Sequence, residues 1–250
     1  MEISKLSYKF KICVTLKDFT RALIFLESFT NFVDDLTIED INLIRALKKG
    51  ILKQYTDYLK IIHSEFKKNN KFSIKNVLDE YSIILNNFSI SIIESFLNIL
   101  NILLNKVIDN NLLAILFVIR AKLFVFISQY KKDDKSRNIT MAYSSYKTAI
   151  ELAFKFMPKN DIYRLKIFYS YTKFTCNIVN DKYRSVLFCI NIIDELNSIT
   201  MQDKENQENN EEHITKISEL EKMTNKFKNF YENNLEEYNK KIRVFHPEYY

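Results

Sequence analysis

The stretch from Leu112 to Tyr130 places the strongest constraint on what this chain can fold into. It reads LLAILFVIRAKLFVFISQY, and its only charged residues are Arg120 and Lys122. A helix that is apolar around its whole circumference must lie inside a protein core or a bilayer. The apolar run before Arg120 is too short to span a membrane. The stretch therefore predicts a helix buried inside a protein.

The rest of the chain lacks the residues on which most other folds depend for their turns. It contains one glycine, Gly50, and two prolines in 250 residues. Tight hairpins in sheets use Gly, Asn-Gly or Pro, and phosphate-cradling loops need several glycines close together. We therefore expect an all-α protein, and enzymes built on nucleotide-binding loops are excluded.

Apolar residues recur at helical spacing along the chain, and polar clusters separate the runs. The predicted helices are Ile3–Ile12, Leu16–Val33, Ile38–Lys68, a helix capped by Ser73 that ends near Ile108, Leu112–Tyr130, Asn138–Met157, Ile162–Val179, Tyr183–Ser198 and Ile214–Tyr238. Their short connections predict antiparallel neighbours. We expect one domain of nine helices over residues 1–238 and a C-terminal tail over residues 239–250.

Polar residues mark several of the predicted boundaries. Thr37, with Asp40 three residues later, predicts a capping box at the start of the third helix. Asp109, Asp161 and Asp181 stand where the fifth, seventh and eighth helices begin. The polar segment Gln202–Glu212 is predicted to be a mobile loop.

Composition excludes several classes of function. The net charge is +6, with no basic run dense enough for a nucleic-acid arm. The three cysteines have no CxxC spacing, which is typical of a reducing compartment and not of disulfide or zinc sites. The three histidines are isolated, and no catalytic arrangement is visible. We expect no enzyme activity, no cofactor, no metal and no nucleic acid, and a cytoplasmic location.

Two stripes of polar and basic residues follow from helical periodicity. The seventh helix carries one of them, and the third helix carries a second one that is cationic. Their members are Lys166, Ser170, Lys173 and Asn177 in the seventh helix and Lys49, Lys53 and Lys60 in the third. The two stripes could line one basic groove or be unrelated solvated faces.

The order and lengths of the helices resemble the 14-3-3 family. Thr37–Ile44 is similar to the family's Leu-Ser-x-Glu-Glu-Arg-Asn-Leu-Leu segment, and Ser145–Glu151 resembles Ala-Tyr-x-x-Ala-x-Glu. Met157 with Ile162–Leu165 resembles Met…Pro-Ile-Arg-Leu, and Asp194-Glu195 stands where the family has Phe-Asp-Glu-Ala. The resemblance implies a cup of nine antiparallel helices and a non-enzymatic signalling adaptor.

The residues expected to bind phosphate depart from the family pattern. Members of the family hold a phosphoserine or phosphothreonine with a Lys and an Arg of the third helix and an Arg-Tyr pair of the fifth. Lys49 matches the Lys, whereas the Arg position holds Thr56 and the pair falls on Val125-Phe126. Losing two Arg and one Tyr hydroxyl should cost roughly 4–7 kcal/mol of binding free energy. Recognition of phosphate is therefore predicted to be weakened or lost.

The other groove positions of the family fall on later helices. Ser170 replaces the Asn that fixes the peptide backbone, Asn177 replaces an acid, and Lys226 is the nearest counterpart in the last helix. The resemblance thus implies a ligand-binding set of Lys49, Lys53, Thr56, Val125, Phe126, Ser170, Lys173, Asn177 and Lys226. The expected ligands are proteins or peptides that are acidic or phosphorylated.

Dimerisation is the second property that the resemblance implies. Family members place an Arg and then an Asp in the second helix for salt bridges between subunits. Here Asp18 precedes Arg21, an order that favours an i,i+3 pair within the helix. The matching region of the fourth helix is apolar. We expect a homo- or heterodimer held by apolar contacts, with an interface that includes Leu6, Phe10, Asp18, Arg21, Ile84 and Phe88.

Two alternatives compete with this interpretation. The first is an unrelated helical scaffold whose helix lengths resemble the family by chance. The second is a membrane-associated protein that uses Ile83–Ile127 as a helical hairpin, although Arg120 would then lie near the middle of the membrane at considerable cost.

Overall fold

The computed structural model describes residues 2–33, 35–69, 71–205 and 211–245, and these ranges contain nine α-helices and no strand. The helices are α1 (Glu2–Thr15), α2 (Phe19–Phe32), α3 (Ile38–Lys68), α4 (Phe72–Lys106), α5 (Asn110–Tyr130), α6 (Lys135–Phe156), α7 (Ile162–Asn177), α8 (Lys182–Glu205) and α9 (Glu211–Phe245). The predicted all-α class is confirmed.

Several of the predicted caps form as expected. At the start of α3 the Thr37 side chain accepts the backbone N–H of Asp40, and the Asp40 carboxylate accepts the N–H of Thr37 at 3.0 Å. Asp109 and Asp161 each accept two backbone N–H groups at the starts of α5 and α7. These caps satisfy donors that have no partner inside the helix.

Several boundaries differ from the predictions, and three of them lie at α4, α2 and α1. The residue at the N-cap of α4 is Lys71, whose side chain makes no capping hydrogen bond, so Ser73 lies inside the first turn and is not the cap. The helix α2 begins at Phe19 because Lys17 adopts a φ of 61° and Asp18 caps the helix. The helix α1 correspondingly runs on to Thr15.

The polar segment predicted as a loop is helical at both of its ends. The helix α8 continues through Gln202 to Glu205, and α9 begins at Glu211. Gln, Lys and Glu are good helix formers, so a polar composition by itself does not end a helix. The centre of this predicted loop, residues 206–210, lies outside the described residues.

The chain divides into two compact units, residues 1–145 and 146–250. In the first unit α3 and α4 pack against α5, and α1 and α2 pack against each other. The core of this unit includes Leu116, Ala121 and Leu123 of α5, all without solvent exposure, so the central stretch is buried as its sequence predicts. The single domain over residues 1–238 stays a prediction.

The second unit has its own core. The helices α7, α8 and α9 pack against one another, with Phe168, Val186, Cys189 and Phe227 fully buried. A buried ion pair joins α7 to α8, since Arg164 Nη2 donates to Glu195 Oε1 at 3.0 Å. The Arg164 guanidinium also lies over the rings of Phe154 and Phe168.

Two of the described helices, α4 and α5, are long and apolar enough to cross a membrane. This property is weak evidence for a membrane protein, because the core helix of a globular protein shares it. In α5 half of the most apolar window is buried against other helices. The membrane hairpin therefore stays an alternative without specific support, and the cytoplasmic location stays a prediction.

Gly50 offers a test of the packing between α2 and α3. A Cβ added to Gly50 would overlap the ring of Phe19, which is itself 9% exposed. Alanine normally stabilises a helix interior by roughly 0.5–1 kcal/mol over glycine, whereas overpacking costs about 1–3 kcal/mol. We expect Gly50→Ala to lower the free energy of unfolding measured in urea. Adding Phe19→Leu should make the double variant less unstable than the two single changes predict; a Gly50→Ala protein more stable than the wild type would contradict this account.

Candidate functional site

The helix α3 presents two different faces along its first half. Ile41, Ile44, Leu47 and Ile51 are buried in the core of the first unit. The residues that lie between these buried positions in the sequence line a cleft of about 420 Å³, which we call the α3 cationic cleft. It is lined by Asn42, Arg45, Ala46, Lys48, Lys49 and Leu52. The cleft therefore follows directly from the amphipathic pattern of α3.

Cations dominate the α3 cationic cleft. Arg45, Lys48 and Lys49 line it, and Lys122 of α5 lies close enough to Lys48 to act on its charge. Arg45 Nη1 also donates to Asn42 Oδ1 at 3.4 Å. Neither Lys48 nor Lys49 forms an ion pair within the described part of the chain. The cleft thus concentrates positive charge that can attract an anion.

Lys48 has the most perturbed basic group of this cleft. Its pKa is lowered to about 7, most of all by burial and then by the positive charges of Lys122, Arg45 and Lys49, in that order. Both causes act against the charged form, because burial removes hydration and like charges repel. Half of the Lys48 amines are therefore neutral near pH 7, whereas an ordinary lysine is fully charged there.

The second charge of α5, Arg120, is only partly satisfied. Its Nε is buried and has no hydrogen-bond partner among the described residues, and its guanidinium lies 5.5 Å from the centre of the Phe124 ring. Burial lowers the pKa of Arg120. A polar group at this depth is costly, which agrees with the scarcity of charge along α5.

The positions that the resemblance aligns with the phosphate-binding residues of the 14-3-3 family do not form a polar site. Phe126 is 8% exposed and packs edge-on against Tyr55 of α3, with ring centres 5.2 Å apart. Tyr130 completes this aromatic cluster, at 4.8 Å from Phe126. Val125 is half-buried, and Thr56 turns its hydroxyl back to the carbonyl of Leu52 at 2.7 Å. None of the three offers a charge to a ligand.

The predicted residues of the first unit belong to different surfaces. Lys49 lines the α3 cationic cleft, and Lys53 is exposed on the following turn. Thr56 lines a larger open cleft of about 690 Å³ between α3, α4 and the end of α5, together with Lys60, His63 and Tyr130. Lys49 and Thr56 of the predicted binding set thus line two different clefts.

The remaining predicted residues lie in the second unit. Lys173 is exposed, with Nζ 5.1 Å from the centre of the Tyr169 ring. Ser170 is half-buried and shares a hydrogen bond with the buried Tyr146. Asn177 is the exposed last residue of α7, and Lys226 is exposed on α9. Lys173 and Asn177 are therefore accessible to a ligand, as their helical stripe predicts.

Arg45, Lys48 and Lys122 were not among the residues singled out from the sequence. The spacing of Arg45, Lys48 and Lys49 is a readable signal, since residues three and four apart share one side of a helix. The contribution of Lys122 had no such signal, because it depends on how α5 packs against α3. Among the described residues, no three His, Cys, Asp or Glu side chains are grouped to hold a metal ion.

No protein-family model and no curated protein sequence matches this chain. The resemblance to the 14-3-3 family therefore stays a hypothesis that depends on the order and spacing of the motifs.

Replacing Lys48 should show how much its positive charge destabilises the folded protein. Because the pKa of Lys48 is lowered from 10.5 to about 7, the unfolded chain binds more protons between these two values. Stability therefore rises with pH in that window and is lowest, for this group, below about pH 7. We expect Lys48→Met to raise the melting temperature, and to raise it more at about pH 6 than at about pH 9.

Thermal melts followed by circular dichroism measure this effect. Lys68→Met is the matched control, because Lys68 lies exposed in the last turn of α3 and pairs with Glu65 at 2.8 Å. This control should change the melting temperature little and without dependence on pH. An equal loss of stability at both pH values in Lys48→Met would contradict the prediction.

Proposed function

We propose that this protein is a non-enzymatic adaptor, related in architecture to the 14-3-3 family, that binds acidic or phosphorylated segments of partner proteins. The observation that carries the proposal is the α3 cationic cleft. Arg45, Lys48 and Lys49 line it, and neither Lys48 nor Lys49 has an acidic partner in the described ranges. An external anion would supply the missing countercharge.

Charge-assisted hydrogen bonds give the expected strength of such binding. Each contributes about 1.5–3 kcal/mol, and about 1.4 kcal/mol changes a dissociation constant tenfold. Two or three such bonds, with the apolar wall of Ala46 and Leu52 beside them, fit binding of an acidic segment in the micromolar range. Salt should weaken this binding, because the cleft is open to solvent.

Phosphate recognition of the family type is proposed to be weakened or lost. The charges that would clamp a phosphate are replaced by Thr56, Val125 and Phe126, and Phe126 is part of the core. A lysine cluster attracts negative charge without demanding the planar geometry that arginine provides. The affinity of the protein for a segment would therefore depend more on the negative charge of that segment than on the presence of a phosphate group.

A cup of nine antiparallel helices belongs to the same proposal. In such a cup the second wall of the groove would carry Ser170, Lys173, Asn177 and Lys226. Lys173 and Asn177 are exposed and therefore accessible to a ligand.

Fluorescence anisotropy with three rhodamine-labelled peptides of one sequence tests the proposed binding. One peptide is doubly phosphorylated, one carries Asp and Glu at those sites, and one is neutral there. We expect both anionic peptides to bind in the micromolar range, within about tenfold of each other, and the neutral peptide not to bind. Lys49→Glu should abolish binding, since it places a carboxylate in the cleft.

Two outcomes would count against the proposal. Equal binding of the neutral peptide would exclude the cleft as a site for anions. Tight binding that requires phosphate and is abolished by Lys49→Glu would show that phosphate recognition is intact.

A dimer held by apolar contacts of α4 is also proposed. Ile84 and Phe88 are 64% and 58% exposed, an unusual degree for such large apolar side chains. Asp18 and Arg21 pair within their own protomer at 3.5 Å. Phe10 is buried in the protomer's own core, and Leu6 is half-buried beside it in α1. The exposed apolar surface of α4 is therefore the main observation in favour of the proposed dimer.

Light scattering measures the mass of the protein in solution and tests this dimer. We expect the mass of two protomers for the wild type at micromolar concentration. A variant with Ile84→Asp and Phe88→Asp should have the mass of one protomer, because charges in an apolar interface are costly. Leu187→Asp, at an exposed position of α8, is the control and should leave the mass unchanged. A monomeric wild type would refute the proposed dimer.

Small-angle scattering of the same samples tests the proposed cup of helices.

A further inference from the structure

We propose that the α3 cationic cleft takes up protons on Lys48 as it binds an anion, so that Lys48 makes its affinity depend on pH near neutrality. This inference rests on the proposed function, because it concerns how the same cleft is regulated. The ligand class is an oxyanion, a carboxylate or phosphate, carried by a protein segment.

The first step of the argument is the position of Lys48. On its own helix it has Arg45 three residues before it and Lys49 next to it, and α5 brings Lys122 toward it. The helices α1, α2 and α4 also pack on α3, but among the described residues none of their charged groups acts on Lys48. Within these ranges, every charged group that acts on Lys48 is therefore a cation.

The second step is the effect of these surroundings on the amine. Lys48 is half-buried and has no hydrogen bond or ion pair within the described ranges. Like charges close to one another in a partly desolvated site repel strongly. The lowered pKa of Lys48, about 7, agrees with this geometry. An arginine at this position would stay charged, because its guanidinium does not lose its proton in proteins.

The third step concerns the ligand. An anion in the cleft favours the charged form of Lys48 and offsets the repulsion from its neighbours. The bound state therefore holds a proton that the free state lacks in part of the molecules. Linkage then requires affinity to fall as pH rises above the pKa of the free protein and to level off below it.

The size of the effect follows from the same linkage. Above about pH 7, each further unit should weaken binding by up to about tenfold, until the pKa of the bound state is reached. Over the range from about pH 7 to about pH 8 the cleft would release its ligand in response to a modest change of pH. Lys49 and Arg45 keep some attraction for anions throughout this range.

Isothermal titration calorimetry with an unlabelled peptide rich in Asp and Glu tests the inference. The carboxylates of this peptide stay ionised from about pH 6 to about pH 9, so a pH effect cannot come from the ligand. We expect the dissociation constant to rise above about pH 7 at constant ionic strength. At about pH 8, titrations in two buffers of different ionisation enthalpy should show the uptake of close to one proton per peptide.

Two variants make the test specific. Lys48→Arg keeps a cation that does not titrate, so it should bind the peptide with a flat pH profile and without proton uptake. Lys68→Arg changes an exposed, ion-paired lysine of the same helix and should keep the pH profile of the wild type. A phosphopeptide of the same sequence distinguishes the two kinds of oxyanion, because its own phosphate adds a second proton linkage near pH 6.

The outcomes separate this inference from the proposed function. Binding by the wild type that does not change with pH overturns the proton linkage and leaves the adaptor function intact. A pH profile that is equally steep in Lys48→Arg also overturns it, since another group would then be titrating. No binding by the wild type or by Lys48→Arg at any pH overturns the proposed function, and the linkage with it.

Discussion

The burial of α5 is the interaction on which the first unit depends. Its apolar surface extends around the whole helix, so α3 and α4 must cover it, and both pack against it. A helix that is shielded in this way cannot carry charges at low cost. Lys122 and Arg120 are its two exceptions, and each has consequences for its surroundings. Lys122 adds to the positive charge acting on Lys48, and Arg120 has a buried nitrogen without a partner.

The core and the α3 cationic cleft are therefore linked through one helix. The buried face of α3 carries Ile44, Leu47 and Ile51, and the cations lie between and beside them in the sequence. Phe126 of α5 also connects α5 to α3, because its ring packs in an aromatic cluster with Tyr55 of α3 and Tyr130 of α5. An apolar residue at this position contributes to the core and offers no polar group to a ligand. The proposed weakening of phosphate recognition rests on this property of Phe126.

Much of the fold was readable from the sequence because its signals are local. The capping box of Thr37 and Asp40 and the caps at Asp109 and Asp161 depend on contacts two or three residues apart. The helical class, the start and end of α3 and the burial of Leu112–Tyr130 were predicted for this reason. Local polarity misled at Ser73, where α4 begins one residue earlier after Lys71, and in the segment after Gln202. After Gln202, good helix-forming residues continued α8.

The candidate site was predicted less completely, and the reason is physical. The sequence by itself determined that α3 carries a row of cations, with Lys49 among them, and that positions 125 and 126 are apolar. Only the tertiary structure decided that Lys122 acts on Lys48, that Thr56 lines a different cleft and that Phe126 is part of the core. A helical repeat fixes which residues share a face, whereas the meeting of two faces depends on the packing of helices far apart in the chain. The charge on Lys48 is set by that packing, because burial and the approach of a second helix have no trace in the local sequence.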